Sequence, residues 1–334
     1  MTWVAWRQFR TQTWFALVSL AVAAAVLVVT AAHVADLYST VSSCHANCQQ
    51  TLNNFLVEAR AGISGVVYNL SVFGIYLVPP LLGAFWGAPL VARELEAGTH
   101  RLAWNQTVTR TRWILTKLAV VGGAAMLTAG LLSLAASLAL NHIDNGDRIE
   151  PVLFGARGVV PVAYAAFAVT LGVAAGALIR RTVPAMAATL AVYLATVLTM
   201  ALAVRAHLMP LRTLTAPITG DRGSVHGVSL SNHDELQVFG GAEAPAGSWT
   251  VSDRTLTHAG KVFTGGPASE QYCGGNGGPD DCFRWIGSLG LHQEVKYQPA
   301  SHFWALQWME SGIFLALALL LAGLTLWWTR RRLT

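Results

Sequence analysis

Two carboxylates in a short polar insert are the first candidates for chemistry. Glu94 and Glu96 precede Gly98, Thr99, Leu102, Gln106, Arg110 and Lys117, and long apolar runs flank the whole stretch. Such a set suits recognition rather than bond-making. The carboxylates can receive basic side chains from another protein or cap the amino end of a following short helix. Gly98 permits a turn, and Thr99 can cap the helix after it. The plain alternative is a solvated hairpin. Patterns for bond-making are incomplete. Gly62-Ile63-Ser64-Gly65 has the G-x-S-G nucleophile spacing, yet no histidine lies deep in a later apolar run to act as its base. His292-Gln293-Glu294 falls short of the zinc pattern HExxH, and Gly260-Lys261 lacks the rest of a GxxxxGK[ST] phosphate loop. The expectation is a non-enzyme with no ATP site, metal or cofactor of its own.

Glu310 is the one acidic residue inside a long apolar run. Carboxylates in such runs are costly and usually functional. An outer-gate or substrate role is the functional reading; against it, the residue's place near the outer end of that run puts water within reach and lowers the cost of a plain structural carboxylate. Four cysteines, Cys44, Cys48, Cys273 and Cys282, allow three pairings. The local bridges Cys44–Cys48 and Cys273–Cys282 are the simplest. A zinc site on Cys44, His45 and Cys48 is the alternative.

The elements that must hold these residues are membrane helices. Apolar residues make up 54% of the 334 residues and charged residues 12%, with mean hydropathy +0.47. Six runs are long enough to cross a hydrocarbon layer that takes about 20 helical residues. They cover about 13–33, 66–91, 113–140, 157–179, 183–205 and 308–328. Each must be helical, because lipid offers no partner to free backbone groups. Placing the N-terminus inside puts 12 of the 22 Lys and Arg in short inner segments, Arg180-Arg181 and Arg330-Arg331-Arg332 among them. Both termini are therefore expected in the cytoplasm. All four cysteines then lie outside, where disulfides persist. The net charge of +5 fits anionic lipid rather than nucleic acid.

The expected fold class is an α-helical polytopic membrane protein. Six transmembrane helices carry a small extracellular β or mixed domain between the fifth and sixth spans. Residues 1–12, with Trp3, Trp6 and Phe9 beside Arg7 and Arg10, suit an interfacial elbow helix. Helices one to five fill 13–205, with a polar cytoplasmic loop over 92–112. The stretch 206–302 is rich in Gly, Ser, Asp and His. Its segment 248–256 alternates like a strand, and 274–281 is glycine-rich and expected to be a loop. An interfacial segment, the sixth helix and a basic tail occupy 303–334. Pro79-Pro80 predicts a kink in the second span. Gly83–Gly87 and Gly172–Gly176 are G-x-x-x-G pairs of the kind that admit close helix approach.

The spacing Glu94-x-Glu96-x-Gly98-Thr99, then Leu102 and Thr109-Arg110, lies between the second and third of six spans. It resembles the cytoplasmic loop of type-2 ABC transporter permeases. The segment 297–333 is similar to the last span of actinobacterial members. Leu95 departs from the family's pattern, which often has a basic residue there, and a proline frequent after the loop's helix is missing. The resemblance implies the permease subunit of an ATP-driven exporter in a bacterial plasma membrane. It implies that Glu94, Glu96, Gly98, Thr99, Leu102, Gln106 and Arg110 couple to a separate ABC ATPase, which holds the ATP and Mg. It also implies a homodimer or a paired permease, since six spans make half of the usual unit. The family lines its pathway with the second and fifth spans. Phe73, Tyr76, Tyr193, Thr196 and Met200 are the candidates there, with Tyr68 and Asn69 nearby and Glu310 from the sixth. The apolar, aromatic path favours a drug, lipid or peptide over a sugar or ion. A membrane sensor or immunity protein that binds an antibiotic or peptide without transport is the rival reading.

Overall fold

A computed structural model describes residues 2–44, 48–98, 109–144, 148–221, 225–230, 236–264, 272–273 and 279–332. The backbone falls into two units, 1–205 with 303–334, and 206–302.

Among the described residues, six helices are long and apolar enough to cross a membrane. They are Val18–Ser42, Gly62–Glu96, Thr111–Ala139, Val160–Ile179, Thr182–His207 and Ala300–Arg331, called here the first to sixth spans. The fourth is the axle. In its most apolar window 72% of residues are buried, against 17% to 56% in the other five. Its sequence, VPVAYAAFAVTLGVAAGALI, is apolar on every side and mostly small, so it has no face to turn outward.

Small residues let the second span come unusually close. A Cβ on Gly172 would overlap the carbonyl of Gly83, and one on Gly83 would overlap the carbonyl of Ala168. A Cβ on Gly87 would lie 2.8 Å from Val169 O, and one on Gly176 2.5 Å from Ala88 O. The two G-x-x-x-G pairs noted in the sequence thus face each other. The second span reaches this contact by bending. Pro79 and Pro80 sit inside Gly62–Leu82, and a π-helical turn, Gly83–Gly87, follows before Ala88–Glu96. Leu82, Leu90, Val91, Trp113, Ile114 and Val173 fill the core at the end that carries Glu94. Leu27, Val34, Phe55, Ile75, Leu140 and Leu153 fill it at the opposite end.

Several boundaries differ from the expectation. Helix Thr2–Ser42 runs unbroken, so 2–12 is continuous with the first span at backbone level; the side chains of 1–13 lie outside the described residues. Residues 34–62, the polar stretch between the first two apolar runs, are mostly helical, as the rest of Thr2–Ser42 and as Cys48–Ala59. Neither segment contains Pro or Gly to stop a helix, and the apolar side of each finds core through Val34 and Phe55. The polar stretch after the third span is likewise partly helical, with turns at Asn141–Asp144 and Pro151–Phe154. The interfacial segment before the sixth span is one 3₁₀ turn, Ala300–His302, followed by an unbroken helix Phe303–Arg332.

The second unit has strands β1 Arg212–Pro217, β2 Val225–Leu230, β3 Leu236–Gly240, β4 Trp249–Leu256 and β5 His292–Gln298. Antiparallel β1-β5-β4 form one sheet and β2-β3 a hairpin. Ile218, Val225, Val238, Ile286 and Leu291 make its core. The expected loop at 274–281 is corrected in part: helix Pro279–Ser288 begins within it, and 274–278 lie outside the described residues. Pro at the start and Asp280 and Asp281 in the first turn are favourable helix openers. Cys282 on this helix is bridged to Cys273.

Gly172→Ala is expected to destabilise the detergent-purified protein, because backbone rather than a flexible side chain stands in the way. Overpacking of this kind costs about 1–3 kcal/mol. Gly122→Ala has open space around the new Cβ and should leave the melting temperature unchanged or raise it slightly. Thermal unfolding followed by size exclusion reads both.

Candidate functional site

The site has two ends joined by a rod. At the first end, helix Ala88–Glu96 carries the loop residues that the sequence singles out. It ends at Ala97, and Gly98 turns the chain at φ +69°, the left-handed region that glycine tolerates. Thr99, Leu102 and Gln106 lie outside the described residues, as does the side chain of Arg110. The third span opens where Thr109 accepts a hydrogen bond from the Arg112 backbone N–H at 3.4 Å.

Both glutamates are engaged within the bundle. Lys117 Nζ donates to Glu94 Oε1 at 2.6 Å and to Leu90 O at 3.0 Å, and lies 4.3 Å from the centroid of the Trp113 ring. This pins the end of the second span to the third. The Glu96 Oε2 atom accepts from Thr182 N at 3.1 Å and Thr182 Oγ1 at 2.8 Å. Thr182 is the first residue of helix Thr182–Thr199, whose opening N–H groups have no partner inside the helix. Glu96 therefore caps the fifth span. A tight connection makes this possible: Arg180, at φ +59°, ends the fourth span, and the fifth starts two residues later. Arg330 Nε donates to Thr111 Oγ1 at 3.0 Å and ties the sixth span to the same end.

The opposite end is closed by a buried ionic cluster. Arg205 and Glu310 are both 0% exposed. Arg205 Nε donates to Glu310 Oε2 at 2.8 Å and Nη2 to Glu310 Oε1 at 2.9 Å, a two-pronged pair between the fifth and sixth spans. Tyr164 of the fourth span donates to Glu310 Oε1. Arg205 Nη1 donates to Pro151 O at 2.8 Å, and the Tyr76 hydroxyl of the second span reaches the same carbonyl at 3.3 Å. Phe154 lies 4.6 Å under the guanidinium. Gln307, also fully buried, completes the closure. Its Oε1 accepts from Val159 N and Val160 N at the start of the fourth span, and its Nε2 donates to Phe154 O and Arg157 O. Beside the cluster, Arg157 Nε donates to Asp144 Oδ2 at 2.7 Å. Burial pushes the Asp144 carboxyl above its usual range, against the pull of Arg157.

Between the two ends runs the fifth span. A π-helical turn, Met200–Val204, breaks its regular winding just before Arg205.

The expected pathway residues divide. Phe73 lies with Tyr68 and Asn69 in one groove, of about 270 Å³. Thr196 and Met200 line another, of about 350 Å³, with Ile313, Phe314 and Leu317 of the sixth span. Tyr76 and Tyr193 belong to the packed interior, where Tyr193 meets Tyr164 and Phe167 edge-on and stacked. The Glu310 carboxylate does not reach water from its place in the span; it is sealed against Arg205. Sequence reasoning missed Arg205, Tyr164, Gln307, Arg157 and Asp144. One signal was present for Arg205: it closes the fifth apolar run at the end that meets the start of the sixth, level with Glu310. Of the expected cysteine pairs, Cys273–Cys282 is formed. Cys44 is disulfide-bonded, so it offers no thiolate to zinc; the side chain of Cys48 lies outside the described residues.

Over residues 17–205 the chain matches the family described as ABC-2 membrane transporter related. The chain belongs to that family. Membership makes it a multi-pass membrane protein and a transport permease subunit, in a family that typically works with an ABC ATPase. The matched region contains the first four spans and the fifth as far as Arg205, its last residue, with Glu94, Glu96 and Lys117 at one end. No curated protein and no solved structure matches the chain.

Removing one partner of the Arg205–Glu310 pair strands a buried charge, which costs about 3–5 kcal/mol. Glu310→Gln is expected to lower thermal stability sharply. The double change Arg205→Met with Glu310→Leu should recover most of the loss, since an apolar pair leaves no stranded charge. Melting curves of the two variants beside the unchanged chain check both.

Proposed function

We propose that this chain is the transmembrane permease subunit of an ATP-driven ABC exporter. It works by alternating access, driven by a separate ATPase that binds ATP and Mg. One observation carries the reading. The helix bearing the polar loop is fastened through Glu96 to the start of the fifth span, and the far end of that span carries Arg205, held by Glu310. A push on the loop is thus delivered to the fifth span and to the polar closure at the other end. Residues Thr99, Leu102, Gln106 and Arg110 make the contact with the ATPase. Glu94 and Glu96 act as tie-rods within the permease.

Basic residues crowd the Glu94 end, which supports a cytoplasmic position for that end and both termini. The Arg205–Glu310 cluster is then an outer gate, and 206–302 lies outside the cell. Release requires the gate to part, and the π-helical turn beside Arg205 is the natural place for the fifth span to rewind. The groove lined by Thr196, Met200 and Phe314 is apolar and fits a hydrophobic or amphipathic cargo. Two copies, or this chain with a similar permease, make the twelve-span unit.

The test is independent of the cargo. Tagged chain recovered from its native membrane is expected to carry a soluble ATPase. Leu102→Asp should lose it, and Glu96→Ala should keep it. Because the natural cysteines are disulfide-bonded, a Met200→Cys variant supplies a single free thiol. Its maleimide labelling in the complex should change by about tenfold on adding ATP and Mg, equivalent to 1.4 kcal/mol in an equilibrium. Glu96→Ala should erase that change. Recovery of no ATPase with the unchanged chain sinks the exporter reading and raises the sensor reading.

A further inference from the structure

The groove at Tyr68 and Phe73 has a composition that the transport reading leaves unused. It lies at the end of the bundle opposite Glu94, between the opening turns of the second span and the stretch before the fourth. Its lining combines both charge signs, Arg60 and Glu150, with Asn69, Tyr68 and the apolar Phe73 and Val152. Arg60 and Glu150 are both exposed, and the Arg60 guanidinium stands 6.0 Å over the Tyr68 ring. The Asn69 Nδ2 donates to Gly65 O at 2.9 Å, and the amide oxygen is the side chain's acceptor.

The groove also continues into an apolar track. Ile63, Val66, Leu70, Phe73 and Leu77 are all exposed. Their spacing of three and four residues puts them on one face of the second span. Phe73 belongs both to this track and to the groove. A ligand that fills the groove and follows the track must have a compact polar head with both charge signs and a long apolar tail.

We propose that this groove binds a phospholipid with a zwitterionic, primary-amine headgroup. The phosphate meets Arg60, which offers planar donors matched to phosphate oxygens. The ammonium meets Glu150 and the Asn69 oxygen. Acyl chains lie along Phe73, Leu70 and Leu77. A primary ammonium is favoured over a quaternary one for two reasons. Glu150 and Asn69 present acceptors that need N–H donors, which a quaternary ammonium lacks. The Tyr68 face that would attract a quaternary cation is already occupied by Arg60.

The test uses the full-length chain alone, without ATPase, so its failure is distinct from failure of the exporter reading. The protein is purified in mild detergent and exposed to an equal mixture of phosphatidylethanolamine, phosphatidylcholine and phosphatidylglycerol. Retained lipid is counted by native mass spectrometry. Phosphatidylethanolamine is expected to be enriched at least about threefold over each of the others, a readily measured difference in affinity. Glu150→Gln should abolish its advantage over phosphatidylglycerol while leaving total retention similar. Arg60→Gln should reduce retention of all three. Phe73→Ala should weaken retention without altering the order of preference, and Val183→Ala, exposed on the fifth span, should change nothing. Equal retention of the three lipids by the unchanged chain overturns the proposal. So does a preference for phosphatidylethanolamine that survives both Glu150→Gln and Arg60→Gln.

Discussion

Backbone-to-backbone contact between the second and fourth spans is the constraint on which the rest is built. In lipid the hydrophobic effect does not distinguish a helix neighbour from an acyl chain, so close packing must supply the attraction. Gly83 and Gly87 meeting Gly172 and Gly176 bring two helices to a distance that no side chain permits. The fourth span is thereby fixed as the axle, and the second is bent around it. That bend matters because the second span carries the polar loop at its end. The prolines at 79 and 80 and the π-helical turn at Gly83–Gly87 set where helix Ala88–Glu96 points. Glu94 can then reach Lys117, and Glu96 can reach Thr182.

The charges are distributed by the same logic of scarcity. A buried ion pair is weak as a stabiliser, because desolvating two ions offsets much of their attraction. It is strong as a specifier, because each ion forbids every arrangement that leaves the other alone. Arg205 and Glu310 join the fifth and sixth spans, which apolar packing alone would let slide. Tyr164 and Tyr76 bring the fourth and second spans into the same network through Glu310 and the Pro151 carbonyl. Gln307 adds a neutral version of the same device, holding the opening N–H groups of Val159 and Val160 and the carbonyls of Phe154 and Arg157 at once. Four of six spans therefore meet in one polar knot at one end, while Glu94 and Glu96 tie three at the other.

Much of this arrangement was legible in the chain, and the illegible part has a common cause. Membrane helices announce themselves by length and hydropathy, so six spans and the β character of 248–256 follow from the residues. So does the turn at Gly98, whereas the bridge Cys273–Cys282 was the simplest of pairings that the residues left open. The G-x-x-x-G pairs were visible, but a four-residue spacing recurs by chance, and only a partner stripe on another helix gives it meaning. The same holds for Glu310. Its burial could not be read from its own neighbourhood, because what seals it is Arg205, 105 positions away. Glu96 reads as a receiver of basic side chains or a helix cap; the helix it caps in the structure opens 86 positions on. Helix boundaries erred outward for a different reason. Segments 34–42 and 48–59 are polar enough to look like loop, yet their few apolar residues face one side and find core.

The two ends of the fifth span differ in a way that bears on how motion would pass through it. At the Thr182 end the attachment is a cap on the helix's opening N–H and hydroxyl, exposed and readily remade. At the Arg205 end the attachment is a fully buried ion pair tied into Tyr164, the Pro151 carbonyl and Tyr76, which must break as a unit or hold as a unit. A rod fixed gently at one end and in an all-or-none manner at the other does not bend gradually; it stores a small displacement until the stiff end lets go. The π-helical turn at Met200–Val204 sits between the rod and the stiff end, with one backbone residue more than an α-helical turn would use. Passing that extra residue along the helix would rotate Arg205 relative to Glu310 without unwinding the span. The geometry thus puts the element able to shift register directly against the interaction whose rupture would be cooperative.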